Sequence, residues 1–420
     1  MRKILRVSVA ALAVTTTLTL AGCGRSDTPP AENKTAAPVA AGKAKGTIKV
    51  WAMGTEGDKL SEFAKGFTKE NPDAKVEVTS IPWDAAHDKI STAIAAKQTP
   101  DLSLIGTTWM GEFASSGALD AVPAGIDPGT FYDGAWGTTE VGGTAYAVPW
   151  YVETRVLYTN NAVAKKAGVS TTPATWDDFA ANAKKMQASG AKFGTTIQAG
   201  QTGAWQTLLP FVWQAGGQVI SKDGKKLTLD TPEFVKALTF YQSFFTDKVA
   251  PTDVPVGTME SDFNAGKIGS FVSGPWHMGI LKDAGNKDFT VAPLPAGKQK
   301  ASFMGGSDVA VFKSAKNRDA AWKFIQWLSK PETQVAWYKT TSDLPAVSSA
   351  WDTGALATDP QLKVFGTQLK SAVAPPSIPN WEQIAAVIDT ELEKVCKSGL
   401  DPQQAATAIQ KQADAIGTGL

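Results

Sequence analysis

From Thr47 the chain alternates between two kinds of hydrophobic spacing. Thr47-Ile48-Lys49-Val50-Trp51 has the strand period, and Leu60, Phe63, Ala64 and Phe67 then recur at helical spacing until Asn71-Pro72. Val76, Val78 and Ile81 predict a second strand, and Asp84 to Lys97 a helix with Ile90, Ala93 and Ile94 on one face. Asp101 to Ile105 is a third strand after Thr99-Pro100. Strand–helix–strand–helix–strand at this spacing predicts an α/β unit with a parallel sheet and right-handed crossovers. In such sheets the loops at one strand edge bind ligands.

Further on the pattern becomes more helical and aromatic. Thr175-Trp176-Asp177-Asp178 opens a helix running to about Gly190, and Thr231-Pro232-Glu233 opens another, with Pro in its first turn. Asn264 to Val272 reads as a loop and strand leading into Gly274-Pro275-Trp276, and Val309 to Phe312 as an apolar strand. Late helices carry Ala321, Phe324, Ile325 and Leu328, then Ile384 to Val395, and a last one follows Asp401-Pro402. Beyond residue 45 the chain is too long for one compact core and long enough for two domains.

The N-terminus changes the picture. Arg2, Lys3 and Arg6 precede an uncharged run, Val7 to Leu20, that is too short to span a bilayer and suits a secretory signal. It ends in Leu20-Ala21-Gly22-Cys23, which resembles the lipobox of bacterial lipoproteins. Residues 1–22 are then a removable signal peptide, Cys23 carries the lipid, and residues 23–45, rich in Ala, Pro, Lys and Thr, are a flexible tether. Lipidation of Cys23 leaves Cys396 without a disulfide partner, and its helical setting predicts a packing thiol.

Charge and motifs narrow the chemistry. With 41 basic and 40 acidic residues the chain offers nothing for nucleic acid or a polyanion. Gly305-Gly306-Ser307-Asp308-Val309 fails as a nucleophile elbow at its last position, and no phosphate loop, zinc spacing or calcium loop is present. Carboxylates are plentiful, but nothing in their spacing selects a glycosidase pair. No catalytic residue, metal or cofactor is expected.

Several stations, in order, resemble the extracellular solute-binding proteins of bacterial carbohydrate ABC importers, the broad family that includes maltose-binding protein. They are the strand to Trp51 and its helix, Thr99-Pro100-Asp101, Gly142-Gly143 through Pro149, and Val156-Leu157-Tyr158-Thr159-Asn160. Pro173-Ala174-Thr175-Trp176-Asp177-Asp178-Phe179, Gly274-Pro275-Trp276, Pro293-Leu294-Pro295, Gly305-Gly306 and Ala321-Trp322-Lys323-Phe324 follow. The resemblance implies a two-lobed α/β fold with a hinge and a ligand cleft between the lobes. Lobe I would comprise residues 46–154 and 305–345, and lobe II residues 155–304 and 346–420. It implies a monomeric receptor without enzymatic activity, held to the outer face of the cytoplasmic membrane, that delivers a mono- or oligosaccharide, with an α-glucoside or small oligosaccharide favoured, to ABC permease subunits. A secreted carbohydrate-active enzyme and a receptor for a non-sugar solute are the alternatives.

A sugar needs aromatic rings against its C–H faces and polar groups for its hydroxyls. Of 14 tryptophans, Trp176, Trp322, Trp327 and Trp337 sit on helical apolar faces and belong to the core. Trp51, Trp109, Trp150, Trp276 and Trp381 lie at strand ends or in Gly/Pro-rich loops and are candidate ligand contacts, Trp150 and Trp276 foremost. Trp150→Ala is expected to lose binding and stay folded. The polar candidates are Glu56, Asp84, Tyr151, Glu153, Arg155, Ser307 and Asp308. Tyr151, Glu153 and Arg155 share one face of a strand.

Overall fold

The computed structural model describes residues 36–420, apart from 201–202 and 255–257. The signal peptide and Cys23 lie outside the described residues. The strands are β1 (Gly46–Met53), β2 (Ala74–Ile81), β3 (Leu102–Gly106), β4 (Glu140–Val141), β5 (Thr144–Ala145) and β6 (Val148–Thr154). There follow β7 (Val156–Asn160), β8 (Ser270–Ser273), β9 (Phe289–Ala292), β10 (Ser302–Val311), β11 (Leu344–Pro345) and β12 (Ala372–Val373).

Seven strands form one sheet in the order β11-β6-β10-β3-β1-β2, with β12 paired to β10. β1 runs parallel to β2 and β3, as the alternating pattern predicts, whereas β10 enters antiparallel between β3 and β6. A three-stranded antiparallel sheet has the order β8-β7-β9. Arg155 alone separates β6, in the larger sheet, from β7, in the centre of the smaller one.

The helices follow their local chemistry. Thr175 accepts from the Asp178 amide while the Asp178 carboxylate accepts from the Thr175 amide, a reciprocal cap that starts the helix Trp176–Ala188. Asp401 caps Pro402–Ile416 and Thr231 caps Pro232–Thr246, each with Pro in the first turn. One helix escapes sequence reading. Trp205–Gln214 is apolar on nearly every side and has Pro210 inside it, so no amphipathic stripe announces it.

One hydrophobic core fills both sides of the larger sheet and continues to Tyr158, Phe271 and Phe289 of the smaller one. A second joins the helices Trp205–Gln214, Pro232–Thr246, Trp381–Glu393 and Pro402–Ile416. Cys396 is buried in it, and burial pushes its thiol pKa up.

The stretch read as tether behaves differently where it is described. The Ala37 carbonyl accepts from Arg318 at 2.7 Å, the Ala44 amide donates to Asn71 at 2.9 Å, and Ala44 is buried. Residues 36–44 therefore lie along the folded body. Composition missed this because the chain is held by its backbone groups, which low-complexity side chains do not reveal.

Candidate ligand-binding site

The loops after β1, β2 and β3 meet the β6–β10 strand pair and the Arg155 crossing. At the end of β1, Gly54 takes a left-handed φ of 54° and starts the helix Gly54–Phe63. A Cβ there would come within 2.8 Å of the Trp83 indole nitrogen, so the bare backbone is what allows that ring to lie close. Glu56 sits in the first turn of this helix and is buried. Ser307 donates to the Tyr151 hydroxyl at 3.1 Å, and Tyr151 in turn hydrogen-bonds Glu56. Burial raises the Glu56 pKa, with the hydrogen bonds from its own amide and Tyr151 opposing that shift.

Asp343, just before β11, joins this group. Burial, with the nearby Glu56 charge next, lifts its carboxyl to about 7, although Trp337 donates to it at 3.0 Å. Glu153 acts on it from β6. Glu153 Oε1 lies 3.2 Å from Arg155 Nη1, and Arg155 Nη2 donates to Gln206 on the helix Trp205–Gln214. The guanidinium also lies 4.9 Å from the Trp276 ring and 5.3 Å from the Phe303 ring. Two runs, the hydrogen-bonded Ser307–Tyr151–Glu56 and the ion-paired and hydrogen-bonded Glu153–Arg155–Gln206, thus form a polar chain whose halves are linked through Asp343 only by the charges of Glu56 and Glu153 acting on it. It begins on the larger sheet and ends on the helical layer beside the smaller one.

Trp276 is 41% exposed, in the first turn of the helix Trp276–Asp283. A Cβ on Gly274 would fall 2.0 Å from its ring, which accounts for the Gly274-Pro275-Trp276 sequence. His277 beside it, in the same helix, is a satisfied side chain, paired with Ser273 at 2.6 Å and Glu260 at 3.1 Å; burial lowers its pKa. Trp109 is half-buried, in edge contact with Trp83 at 5.7 Å between centroids. It borders a cavity of about 420 Å³ whose far wall is formed by Trp205, Gln206, Glu382, Ala385 and Asp389. Asp389 accepts from the Gly203 and Trp205 amides, both at 2.7 Å, and burial lifts its pKa to about 6.

Glu56, Tyr151, Glu153, Arg155, Ser307 and Trp276 are therefore brought together, and Trp109 lies along the same cleft. Asp84 is exposed in the first turn of the helix Trp83–Ala96; it does not cap the helix, whose first flanking residue is Pro82. The other candidates are placed elsewhere. Trp51 is half-buried, with Lys89 Nζ over its ring at 4.9 Å. Trp150 is interior: it stacks on Trp337 at 4.7 Å, and its carbonyl accepts from Gln334 at 2.8 Å. Trp381 is fully buried, edge-on to Trp205 at 5.2 Å. Asp308 is buried against Thr138, with both carboxyl oxygens 3.1 Å from the hydroxyl.

The misplacements have more than one cause. Neighbours along a strand point to opposite faces, so with Tyr151 and Ser307 paired on one side, Trp150 and Asp308 lie on the other, and the register shift between Ser307 and Asp308 leaves Trp150 as the extra residue of a bulge. Trp381 is instead enclosed by packing between helices. Position at a strand end is visible in sequence; which side of a bulged strand faces solvent is not. Trp83, Gln206, Asp343 and Asp389 were not anticipated. An aromatic directly after Pro82 at a strand–helix junction is the signal that singles out Trp83.

No group of three or more His, Cys, Asp or Glu among the described residues could hold a metal ion. The arrangement offers hydrogen-bond partners and aromatic faces, which is the chemistry of holding a polar small molecule. The bacterial extracellular solute-binding protein family matches residues 52–335. The chain belongs to that family. It is also similar to the sugar-binding protein MalE of Xanthomonas citri, with 30% identity, a TM-score of 0.83, and coverage of 88% of this chain and 97% of that one. It is 28% identical over 393 residues to the diacetylchitobiose binding protein of Streptomyces coelicolor, covering 87% of this chain and 88% of the relative. A maltooligosaccharide ABC transporter solute-binding lipoprotein of Streptococcus pneumoniae is 27% identical over 343 residues, 79% of this chain and 78% of its own length. The solute-binding family is extracellular, its members bind rather than transform their ligands, and its fold is the two-lobed α/β one.

Proposed function

We propose that this protein captures an oligosaccharide in the cleft around Arg155 and hands it to the permease of an ABC transporter. The observation that carries this reading is the polar chain from Ser307 to Gln206, flanked by the rings of Trp83, Trp109 and Trp276. Hydroxyl-binding side chains framed by exposed aromatic faces suit a carbohydrate. The sugar names of the relatives point the same way, with α-glucosides the favoured members of the class. Trp109, Tyr151, Glu153, Arg155 and Trp276 are the proposed contacts, with Glu56 and Ser307 holding Tyr151.

The proposed lobes are residues 46–154 with 305–345, and 155–304 with 346–420, meeting at the Arg155 crossing. A ligand that touches both walls only when they approach shifts the open–closed equilibrium by its differential affinity. The lipid on Cys23 would hold the monomeric receptor at the outer face of the cytoplasmic membrane, a reading supported by the lipobox sequence and by the lipoprotein named above.

The test is a thermal-shift screen of a soluble form beginning at Ala36, against mono- and oligosaccharides, amino acids and polyamines. At a hundredfold excess over Kd, a ligand should add about 2.7 kcal/mol and raise the melting temperature. The sugar should then be recovered unchanged. Stabilisation by amino acids or polyamines, with every sugar silent, would overturn the carbohydrate reading; recovery of shortened sugar would favour an enzyme.

A further inference from the structure

The charges along the cleft are one-sided. Glu56, Glu153 and Asp343 stand in the polar chain, and Glu382 and Asp389 line the cavity beside Trp109. Glu393 lines that cavity too, balanced by Lys397 at 3.1 Å. No lysine or arginine borders the cavity among the described residues. The one guanidinium in the polar chain is already committed. Arg155 is 8% exposed, held by Glu153 and Gln206, and covered by the Trp276 and Phe303 rings.

We propose that the cleft selects oligosaccharides by charge, admitting uncharged glycans and rejecting those that carry carboxylate or phosphate groups. This rests on the carbohydrate reading above. A sugar hydroxyl donates to a carboxylate and so satisfies Glu382 or Glu153 without adding charge. A ligand carboxylate brings a second negative charge into a partly desolvated site, where like charges cost several kcal/mol. Arg155 cannot turn to meet it without leaving Glu153 unpaired. The acids already press on one another: the Glu56 charge adds to burial in raising Asp343, and Glu382 does the same to Asp389. An anionic ligand would extend that repulsion.

Two further details sharpen the point. Arg155 Nη1 makes no hydrogen bond within the protein, its one partner being the Glu153 carboxylate across the ion-pair distance. Removing the Glu153 charge would therefore leave a buried guanidinium nitrogen without its one ionic partner. Glu382 is exposed on the cavity wall, so its charge can be removed with little effect on packing.

The experiment is titration calorimetry with matched pairs: maltotriose and maltotriose oxidised at C6 to the uronic acid, and galactotriose and trigalacturonate. In each pair that binds, the acid should bind roughly 100-fold more weakly, a gap that narrows as salt rises. Glu153→Gln should narrow it about tenfold by leaving Arg155 without its ionic partner, and Glu382→Gln should narrow it by a smaller factor without loss of folding. Acid members binding as tightly as their neutral partners would overturn the inference while leaving the carbohydrate reading intact. A gap that neither variant changes would overturn it as well. Silence from all four sugars would count against the carbohydrate reading, and this inference would fall with it.

Discussion

The two sides of the β6–β10 strand pair look alike in sequence and differ in purpose. On one side Tyr151, Glu153 and Ser307 belong to a polar chain that reaches across to Gln206. On the other, Trp150 stacks on Trp337 and Asp308 is closed in against Thr138. Both sides hold carboxyls whose pKa is raised by burial, Asp343 to about 7 and Asp308 to about 8. A shifted carboxyl is therefore no mark of a site by itself. What separates the two is company. Asp343 has Glu56 and Glu153 acting on it, whereas Asp308 has a single hydroxyl.

The Thr138 hydroxyl has one proton for two acceptors, the Asp308 carboxyl at 3.1 Å and the Ala135 carbonyl at 2.7 Å. Burial outweighs the hydrogen bond from Thr138 and lifts the Asp308 pKa to about 8, so the neutral acid is the favoured form below that pH.

Substitutions on each side can break this contrast. The largest effect is expected from Trp150→Ala, which should cost about 3–5 kcal/mol in denaturant unfolding by emptying a packed interior position. Any ligand affinity that survives should belong to the molecules still folded, the reverse of a cleft residue. Arg155→Ala should follow, with a stability loss of roughly 3 kcal/mol from leaving Glu153 without its partner and a fall in affinity of about 100-fold. Unchanged affinity there would remove Arg155 from the site.

Asp308→Asn tests the interior acid through pH. Its folded pKa of about 8 exceeds the unfolded value of about 3.9, so the stability it contributes is full below about pH 4 and is lost as pH rises through 8. Asparagine keeps a donor toward Thr138 at every pH. The variant should match the parent near pH 4, be clearly the more stable of the two near pH 8, and bind ligand equally well. An identical pH profile for the two proteins would contradict the neutral-acid assignment. Trp276→Ala should move stability by less than about 1 kcal/mol, since the residue is exposed rather than part of the core, and weaken binding about tenfold. Asp84→Ala, exposed and outside the polar chain, should change stability by less than about 0.5 kcal/mol and affinity by less than about threefold.

Much of the architecture was readable from hydrophobic spacing. The parallel β1, β2 and β3 with their helices, the capped helix after Thr175 and the last two helices stand where periodicity and caps place them. The helix Trp205–Gln214 did not announce itself, because a segment buried all round has no polar face to alternate with. Strand alternation was enough to group Tyr151, Glu153 and Arg155, which the fold does bring together as proposed contacts. Burial was not legible where the opposite strand face or long-range packing decided it, as for Trp150, Trp381 and Asp308. Gln206 and Asp343 enter through contacts across the fold that no local pattern encodes.

The docking of residues 36–44 onto the body sets a leash length. If the lipid sits on Cys23, the 12 residues from Gly24 to Thr35 set the greatest distance between the bilayer and the docked segment. However they are arranged, they can reach at most about 45 Å. On that proposed anchor the receptor would patrol only a thin layer above the membrane. Within that layer its concentration as seen by a permease in the same bilayer is far above its average in the medium, so even a weak docking contact would be occupied often.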